Sequence, residues 1–213
     1  MTRVKICGIT RDEDLVAALD AGADALGFVV GVSSSPRNLP IERAAELVSL
    51  APVFTKTVLV MVPNCISEIA EAWKAVRPDA LQVHGHGLPS VEEIREVAPG
   101  ATLIMGIRLE RGEALNNVEA AAFDAILLDT FVPGKHGGTG MIHDWEASRR
   151  ICRDMQPRRL ILAGGLRPTN VQEAIRVVRP YAVDVSTGVE SSPGVKSAEK
   201  MRDFIERVRE ERV

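Results

Sequence analysis

The chain has 213 residues, of which 46% are hydrophobic and 26% are charged, and its formal net charge is −3. The charged fraction is close to the globular average of about 25%, which argues against a disordered chain. The slight negative charge excludes any electrostatic case for a polyanionic partner, so we expect no nucleic-acid binding, while a small anionic substrate stays compatible with a locally positive site.

The three cysteines, Cys7, Cys65 and Cys152, are widely spaced, odd in number and form no CxxC pair. This pattern argues against a disulfide framework or a zinc site and favours a reducing compartment. Residues 1–20 carry charges throughout, so no signal peptide is visible, and the apolar runs are far shorter than the roughly 20 residues of a spanning helix. We therefore expect a cytoplasmic protein that does not enter a membrane.

Short apolar runs, many of them β-branched, alternate with helical patterns along the whole chain. The runs are mostly continuous rather than alternating, which is typical of strands buried on both faces of a parallel sheet. The predicted strands cover residues 4–7, 25–30, 57–62, 80–83, 102–107, 125–128, 160–163 and 182–186. The predicted helices cover residues 12–19, 41–50, 67–76, 91–98, 144–153, 169–178 and 197–208, with a weaker helix over 115–122 because Asn116 and Asn117 lower its propensity.

Eight alternations of strand and helix predict right-handed crossover units and a parallel sheet. Eight units close a (β/α)8 TIM barrel, whose usual size is about 250 residues with roughly 200 as the lower end. The alternative is an open doubly wound sheet, which needs a reversing strand order and normally has fewer strands. No linker or low-complexity tract interrupts the pattern, so we expect one domain over residues 1–213.

Active sites of such barrels lie where the strands end, so polar residues at those positions are the candidates. The first predicted strand ends at Cys7 and the sixth is followed by Asp129. Free cysteines are most often buried and inert. The ordinary pKa of a cysteine is about 8.5, so Cys7 can act as a base only in an environment that favours the thiolate. Burying an unpaired carboxylate costs free energy, so a carboxylate directly after an apolar run favours an active-site role for Asp129. The alternative role for this residue is helix capping. Asp184 stands in a similar apolar setting on the eighth strand.

Two glycine-containing loops predict a phosphate site. Gly164 and Gly165 follow the seventh strand, while Ser186, Thr187 and Gly188 follow the eighth, which is where such barrels usually bind phosphate. Glycine allows backbone N–H groups to approach an anion closely, although glycines in tight turns need no ligand at all. The coincidence of both loops favours the phosphate interpretation.

Other polar residues at the predicted mouth are weaker signals by themselves. Arg37 lies in a loop rich in serine and proline after the second strand, where a solvated arginine is the ordinary outcome. His84 and His86 follow the fourth strand, but two histidines without a third ligand nearby do not predict a metal site.

The ordered set of these segments resembles the phosphoribosylanthranilate isomerase family. Lys5-Ile-Cys-Gly-Ile-Thr10 is the most specific of them, and it is followed by Gly22-Ala-Asp24, Gly27-Phe28, Ser35-Pro36-Arg37, Gln82-Val83-His84-Gly85, Leu127-Leu128-Asp129, Gly137-Gly138-Thr139-Gly140, Ala163-Gly-Gly-Leu166 and Val183-Asp-Val-Ser-Thr-Gly-Val-Glu190. The resemblance therefore covers the whole chain. Three segments depart from the family pattern, namely Val58–Met61, Ser186-Thr187-Gly188 and Gly194-Val195-Lys196-Ser197, and none of them includes Cys7 or Asp129.

The resemblance implies an Amadori rearrangement of N-(5-phosphoribosyl)anthranilate that needs neither a cofactor nor a metal. It implies Cys7 as general base and Asp129 as general acid. Arg37 would bind the anthranilate carboxylate, Asp184 would orient the substrate, and His84 would join the substrate-binding residues. The only partner expected is a phosphorylated small molecule, and the sequence leaves a monomer and a homodimer both open.

Three other kinds of protein are alternatives to this interpretation. A bifunctional sugar-phosphate isomerase resembles a longer barrel with Asp in place of Cys7. A catalytically silent phosphate-binding barrel is expected to have lost Cys7 or Asp129, and both are present. Indole-glycerol-phosphate synthase needs a catalytic Lys and Glu set that this sequence does not show.

Overall fold

A computed structural model describes residues 1–109, 122–130, 145–155 and 159–211. Eight parallel strands pair in a ring: β1 (Arg3–Cys7), β2 (Ala25–Val30), β3 (Lys56–Met61), β4 (Ala80–His84), β5 (Thr102–Leu109), β6 (Ala125–Thr130), β7 (Arg159–Leu162) and β8 (Ala182–Val185). The ring closes because β1 pairs with both β2 and β8, so that Lys5 lies opposite Ala25 on one side and Asp184 on the other. The predicted closed (β/α)8 barrel is confirmed, and the open doubly wound sheet is excluded.

The helices of the described ranges follow the strands in the predicted alternation. They are α1 (Asp12–Asp20), α2 (Ile41–Ser49), α3 (Ile66–Val76), α4 (Val91–Val97), α5 (Trp145–Asp154), α6 (Val171–Val178) and α7 (Ala198–Glu210). The predicted strands and these helices end within two residues of the observed bounds. The weaker helix predicted over 115–122 lies outside the described residues, apart from its last position.

Three short elements were not predicted. A strand at Asn38–Leu39 pairs in parallel with the end of β2, and Glu190–Ser192 forms an antiparallel hairpin with Val195–Lys196. Between β8 and that hairpin lies a single 3₁₀ turn, Thr187–Val189. All three stand beyond the ends of barrel strands, so they add to the mouth rather than to the barrel wall.

The core has two layers because successive side chains of a strand point to opposite faces. The barrel interior is filled mainly by small and branched residues, namely Cys7, Val29, Val58, Val60, Ala80, Ile104, Ala125, Leu127, Ile161, Ala163 and Ala182. The layer between strands and helices holds larger side chains such as Phe28, Leu59 and Phe204, which are fully buried. Burial on both faces explains why the strands were apolar without alternation.

Serine side chains cap two of the helices. Ser90 accepts a hydrogen bond from the Glu93 backbone at 3.2 Å, and the Glu93 carboxylate accepts one from the Ser90 N–H at 2.8 Å, which completes a capping box. Ser197 accepts from the Lys200 N–H at 3.3 Å at the start of α7. Serine is one of the residues that cap helices well, so Ser197 stabilises the start of α7. No helix in the described ranges has the length and apolar content needed to cross a bilayer.

Candidate functional site

The structure brings three of the predicted site residues to one end of the barrel. Cys7 and His84 are the last residues of β1 and β4, and Asp129 is next to last in β6. Because the strands are parallel, these ends share one rim. Cys7 belongs to the interior cluster, and Asp129 follows interior Leu127 by two positions, so both face the barrel axis. Asp129 is half-buried there.

A buried lysine lies beside the Cys7 thiol. A Cβ placed on Gly27, opposite Cys7 on β2, would stand 2.9 Å from Cys7 Sγ and 3.1 Å from Lys5 Cε, so both side chains lie against this glycine. Lys5 Nζ donates to Asp184 Oδ1 at 2.8 Å, and its positive charge acts on the neighbouring Cys7 side chain. Lys5 is 3% exposed and Asp184 8%. The three side chains form a buried cluster beneath the mouth.

Burial raises the pKa of the Cys7 thiol above its ordinary value, because a thiolate loses solvation there. The Lys5 ammonium opposes that rise, Asp184 adds to it, and Lys196 opposes it more weakly. Burial likewise disfavours the charge on Lys5, yet the attraction of Asp184 and Cys7 outweighs it and the pKa of Lys5 is raised. The lysine therefore stays cationic next to a thiol that is protonated at neutral pH.

His84 is held in place from two sides. Gln82 Nε2 donates to His84 Nε2 at 2.7 Å, and Gln82 is itself buried one layer deeper on the same strand face. The imidazole ring covers the backbone of Gly106 on β5, where a Cβ would overlap the ring. This fixed ring at the mouth is suited to contact a ligand. No three His, Cys, Asp or Glu side chains come together as a metal-ligating group in the described part of the chain.

Arg37 is an organised side chain rather than a solvated one. Its Nε donates to Glu190 Oε1 at 2.7 Å and its Nη2 to Glu190 Oε2 at 2.5 Å. Lys196 Nζ donates to Glu190 Oε1 at 3.0 Å and to Ser186 Oγ at 3.3 Å. We call Arg37, Glu190 and Lys196 the rim cluster. Burial opposes ionisation of Glu190, but Arg37 and Lys196 together lower its pKa below the ordinary value.

The two glycine loops lie side by side. Gly164 and Gly165 both have positive φ, +83° and +65°, which only glycine adopts readily. Gly188 packs directly on the loop after β7, because a Cβ there would overlap the Leu166 carbonyl oxygen. Ser186, Thr187 and Gly188 enter the 3₁₀ turn at this point, with Thr187 exposed. The turn requirement and a ligand role are compatible, since such a pair of loops presents backbone N–H groups outward.

Three buried residues of the site went unpredicted as functional: Lys5, Glu190 and Lys196. Lys5 stands two positions before Cys7, so the two-residue period of a strand already placed both on one face. Glu190 and Lys196 lie on the hairpin after β8, and nothing in their local pattern indicates that they meet Arg37, which is 153 residues from Glu190.

Comparisons with known proteins place this geometry in context. The family model described as N-(5'phosphoribosyl)anthranilate (PRA) isomerase matches residues 4–207. The N-(5'-phosphoribosyl)anthranilate isomerase of Methanocella arvoryzae is 44% identical over 213 residues, covering 98% of this chain and 99% of that protein.

Two solved structures are similar over nearly the full chain. Phosphoribosyl anthranilate isomerase in complex with reduced 1-(o-carboxyphenylamino)-1-deoxyribulose 5-phosphate matches with a TM-score of 0.81 and 35% identity, covering 99% of this chain and 100% of that one. Generated monomers of the dimeric Thermotoga maritima isomerase match with a TM-score of 0.79 and 33% identity, covering 99% and 100%.

The raised pKa of Cys7 predicts how alkylation of this thiol depends on pH. We expect the iodoacetamide reaction rate of a variant retaining only Cys7 to keep rising above pH about 8.5, the ordinary cysteine value, because the thiolate is the reacting form. A variant retaining only Cys65 is the control. Cys65 is exposed, and its hydrogen bond with Ser67 lowers its pKa, so its rate should level off at lower pH.

The measurement is the pH midpoint of alkylation, which is independent of how fast the reagent reaches either thiol. A midpoint for Cys7 at or below that for Cys65 would contradict this description of the buried cluster.

Proposed function

Because this chain belongs to the phosphoribosylanthranilate isomerase family, it is the isomerase of the Amadori step in tryptophan biosynthesis, and we propose that Cys7 and Asp129 supply its base and acid. The substrate is N-(5-phosphoribosyl)anthranilate and the product is 1-(2-carboxyphenylamino)-1-deoxyribulose 5-phosphate. The observation that carries the proposal is the placement of both side chains on the interior face at one rim of the barrel.

In the first step the Asp129 carboxylic acid protonates the ribose ring oxygen. The C1–O bond breaks as the nitrogen lone pair forms the C1=N bond of a Schiff base. Cys7 first loses its thiol proton to solvent. The resulting thiolate then removes the C2 proton, and the C–H electron pair becomes the C1=C2 bond of an enolamine while the C=N electrons return to nitrogen. Proton transfer from the C2 hydroxyl and protonation at C1 give the aminoketose. The substrate nitrogen accepts the electrons, so these steps need no further electron sink.

Lys5 supports the base in this scheme. A thiolate buried at Cys7 is costly unless a positive charge lies nearby, and the Lys5 ammonium, fixed by Asp184, provides that charge. Desolvation keeps the resting thiol protonated, and the lysine reduces the cost of ionising it. Asp184 thereby contributes through Lys5, and we propose that it also orients the substrate.

The remaining mouth residues are proposed to bind the substrate. Gly164 and Gly165, together with Ser186, Thr187 and Gly188, would hold the phosphate, which is supported by the adjacent loops and their positive-φ glycines. Arg37 would bind the anthranilate carboxylate and His84 would contact the substrate from β4.

We also propose that residues 1–213 form one domain, since α7 packs against α1 and β1. We further propose that the enzyme is cytoplasmic, as its metabolic step suggests.

Replacing either proposed proton-transfer residue should lower turnover with little effect on folding. We expect Cys7→Ala and Asp129→Asn each to reduce kcat by at least about 10²-fold, because general acid and base assistance typically contributes about 10²–10⁴-fold. The measurement is loss of substrate fluorescence under steady-state conditions, with circular dichroism to verify folding. Exposed Cys65→Ala and Asp20→Asn are the matched controls and should keep parental kcat. Near-parental turnover in a folded Cys7 or Asp129 variant would remove that residue from the mechanism.

We further propose a homodimer formed through an exposed apolar turn. Leu50, Val53 and Phe54 are 55%, 86% and 96% exposed and lie between α2 and β3, at the barrel end opposite the mouth. Single exposed apolar residues are ordinary, but three within five positions make a patch of the kind that marks an interface. The Thermotoga maritima isomerase is described as dimeric, which supports a dimer as the assembly.

Light scattering during size-exclusion chromatography tests this assembly. The parent should elute at the dimer mass, and Phe54→Asp should shift it toward the 23.1 kDa monomer because a carboxylate cannot be buried unpaired. Val16→Asp, at an exposed apolar site on α1, is the control and should leave the mass unchanged. A monomeric parent, or a dimeric Phe54→Asp variant, would contradict the proposed interface.

A further inference from the structure

Glu190 is a buried acid to which the reaction assigns no chemical step. Its side chain is 6% exposed, and the two cations that it binds, Arg37 and Lys196, have side chains 18% and 0% exposed. Both Glu190 oxygens accept from Arg37, and Oε1 also accepts from Lys196. Such burial of three charges is costly unless the geometry of the group is fixed, so the rim cluster needs an explanation.

The contacts within the described ranges occupy only one edge of the Arg37 guanidinium, which leaves its other edge for a second anion. Glu190 occupies the edge formed by Nε and Nη2. A planar guanidinium has five N–H donors, so the edge between Nη1 and Nη2 still carries one outward N–H on each nitrogen. Two parallel donors of this kind match the two oxygens of a carboxylate.

The arginine stem is held where that edge can serve the mouth. A Cβ on Gly8, the residue after Cys7, would stand 2.7 Å from Arg37 Cδ and 3.2 Å from Ser186 Oγ. The stem therefore crosses the end of β1 beside the proposed base, between it and the loop after β8. Arg37, Cys7 and Ser186 are all next to Gly8, so a carboxylate on the remaining arginine edge would stand at the same rim as the proposed base and the loop after β8.

The hairpin that carries Glu190 is itself fixed. The Lys196 N–H donates to Asp14 Oδ2 at 3.0 Å, and Lys200 Nζ donates to the Glu190 carbonyl at 2.7 Å. Thr10 Oγ1 donates to the Gly194 carbonyl at 2.7 Å, which ties the tip of the hairpin to the loop after β1. Glu190 thus starts from a rigid backbone and can impose an orientation on Arg37.

The net charge of the rim cluster explains why Lys196 belongs to it. Glu190 alone would neutralise Arg37 and leave no net attraction for an anion. With the buried Lys196 ammonium the rim cluster returns to a net charge of +1. Burial lowers the pKa of Lys196, and the Glu190 carboxylate offsets part of that loss.

We propose that Glu190 is a positioning residue that aims the free edge of Arg37 at the aromatic carboxylate of the substrate, while Lys196 keeps the cluster positive. The inference rests on the proposed carboxylate-binding role of Arg37. It adds that specificity depends on a residue that never touches the substrate.

Two ligands that differ only in the carboxylate test this proposal. One is reduced 1-(2-carboxyphenylamino)-1-deoxyribulose 5-phosphate, and the other is the same compound with a plain phenyl ring. Glu190→Gln raises the charge of the rim cluster from +1 to +2 and removes the ionic double hydrogen bond that fixes Arg37. The added charge alone would tighten binding of the carboxylated ligand, whereas the loss of a fixed Arg37 orientation would weaken it. We expect the Kd of the carboxylated ligand to rise at least about tenfold, the size of one or two charge-assisted hydrogen bonds, and the Kd of the phenyl ligand to stay within about twofold.

Each other outcome has a definite meaning. Tighter binding of the carboxylated ligand would show that charge alone matters, and equal losses for both ligands would show a structural role; either overturns the proposal. The Arg37→Ala variant tests the underlying assumption. If this variant weakens both ligands equally, or weakens neither, the carboxylate role of Arg37 is wrong. If Arg37→Ala selectively weakens the carboxylated ligand and Glu190→Gln does not, only the positioning role of Glu190 fails.

Glu190→Asp and Lys196→Met keep the test decisive if Glu190→Gln does not fold. The aspartate retains the charge but is shorter by one methylene, so it should give a smaller loss confined to the carboxylated ligand. Lys196→Met leaves a neutral Arg37–Glu190 pair and should weaken the same ligand selectively. Parental discrimination in both variants would overturn the proposal.

Discussion

The ion pair between Lys5 and Asp184 joins the first and last strands of the barrel from the inside. Its partners lie directly opposite each other in the β1–β8 register, 179 residues apart in sequence, and both are buried. Removing one member of a buried pair typically costs about 3–5 kcal/mol because the other charge is left unpaired. The charges of the same pair act on the Cys7 thiol, so closure of the barrel and the electrostatic surroundings of the proposed base share one interaction.

A second set of buried charges performs a different task at the rim. The rim cluster connects the loop after β2 with the hairpin after β8, and Lys196 extends it to Ser186 in the proposed phosphate loop. The proposed chemistry and the proposed substrate recognition are thus associated with separate ion clusters at the same end of the barrel. The buried charges of Lys5, Asp184, Glu190 and Lys196 are each paired with an opposite charge, as burial of a charged group requires.

The fold was predictable because its signal is repetitive. Eight apolar runs separated by amphipathic patterns define the barrel, and the ends of these runs predict that Cys7, His84 and Asp129 share one rim, as the structure shows. The identity of the family followed from the ordered segments and is confirmed by the comparisons.

The pairings inside the site were not predictable in the same way. Strand periodicity indicates that Lys5 faces the interior, but only the register with β8 shows that Asp184 is its partner. Arg37 read alone suggested a solvated loop residue, and its contact with Glu190 arises from a hairpin whose two short strands carry no hydrophobic pattern. Long-range polar contacts follow from tertiary geometry, for which one sequence holds no periodic signal.

A crystal structure of this chain with reduced 1-(o-carboxyphenylamino)-1-deoxyribulose 5-phosphate would test the account most directly. It should show the phosphate between the loops carrying Gly165 and Gly188, and the carboxylate on the Nη1–Nη2 edge of Arg37. Cys7 Sγ and the Asp129 carboxylate should flank the C1–C2 region of the sugar chain. A ligand bound with its phosphate away from these loops, or with C2 out of reach of Cys7, would contradict the proposed site and its mechanism.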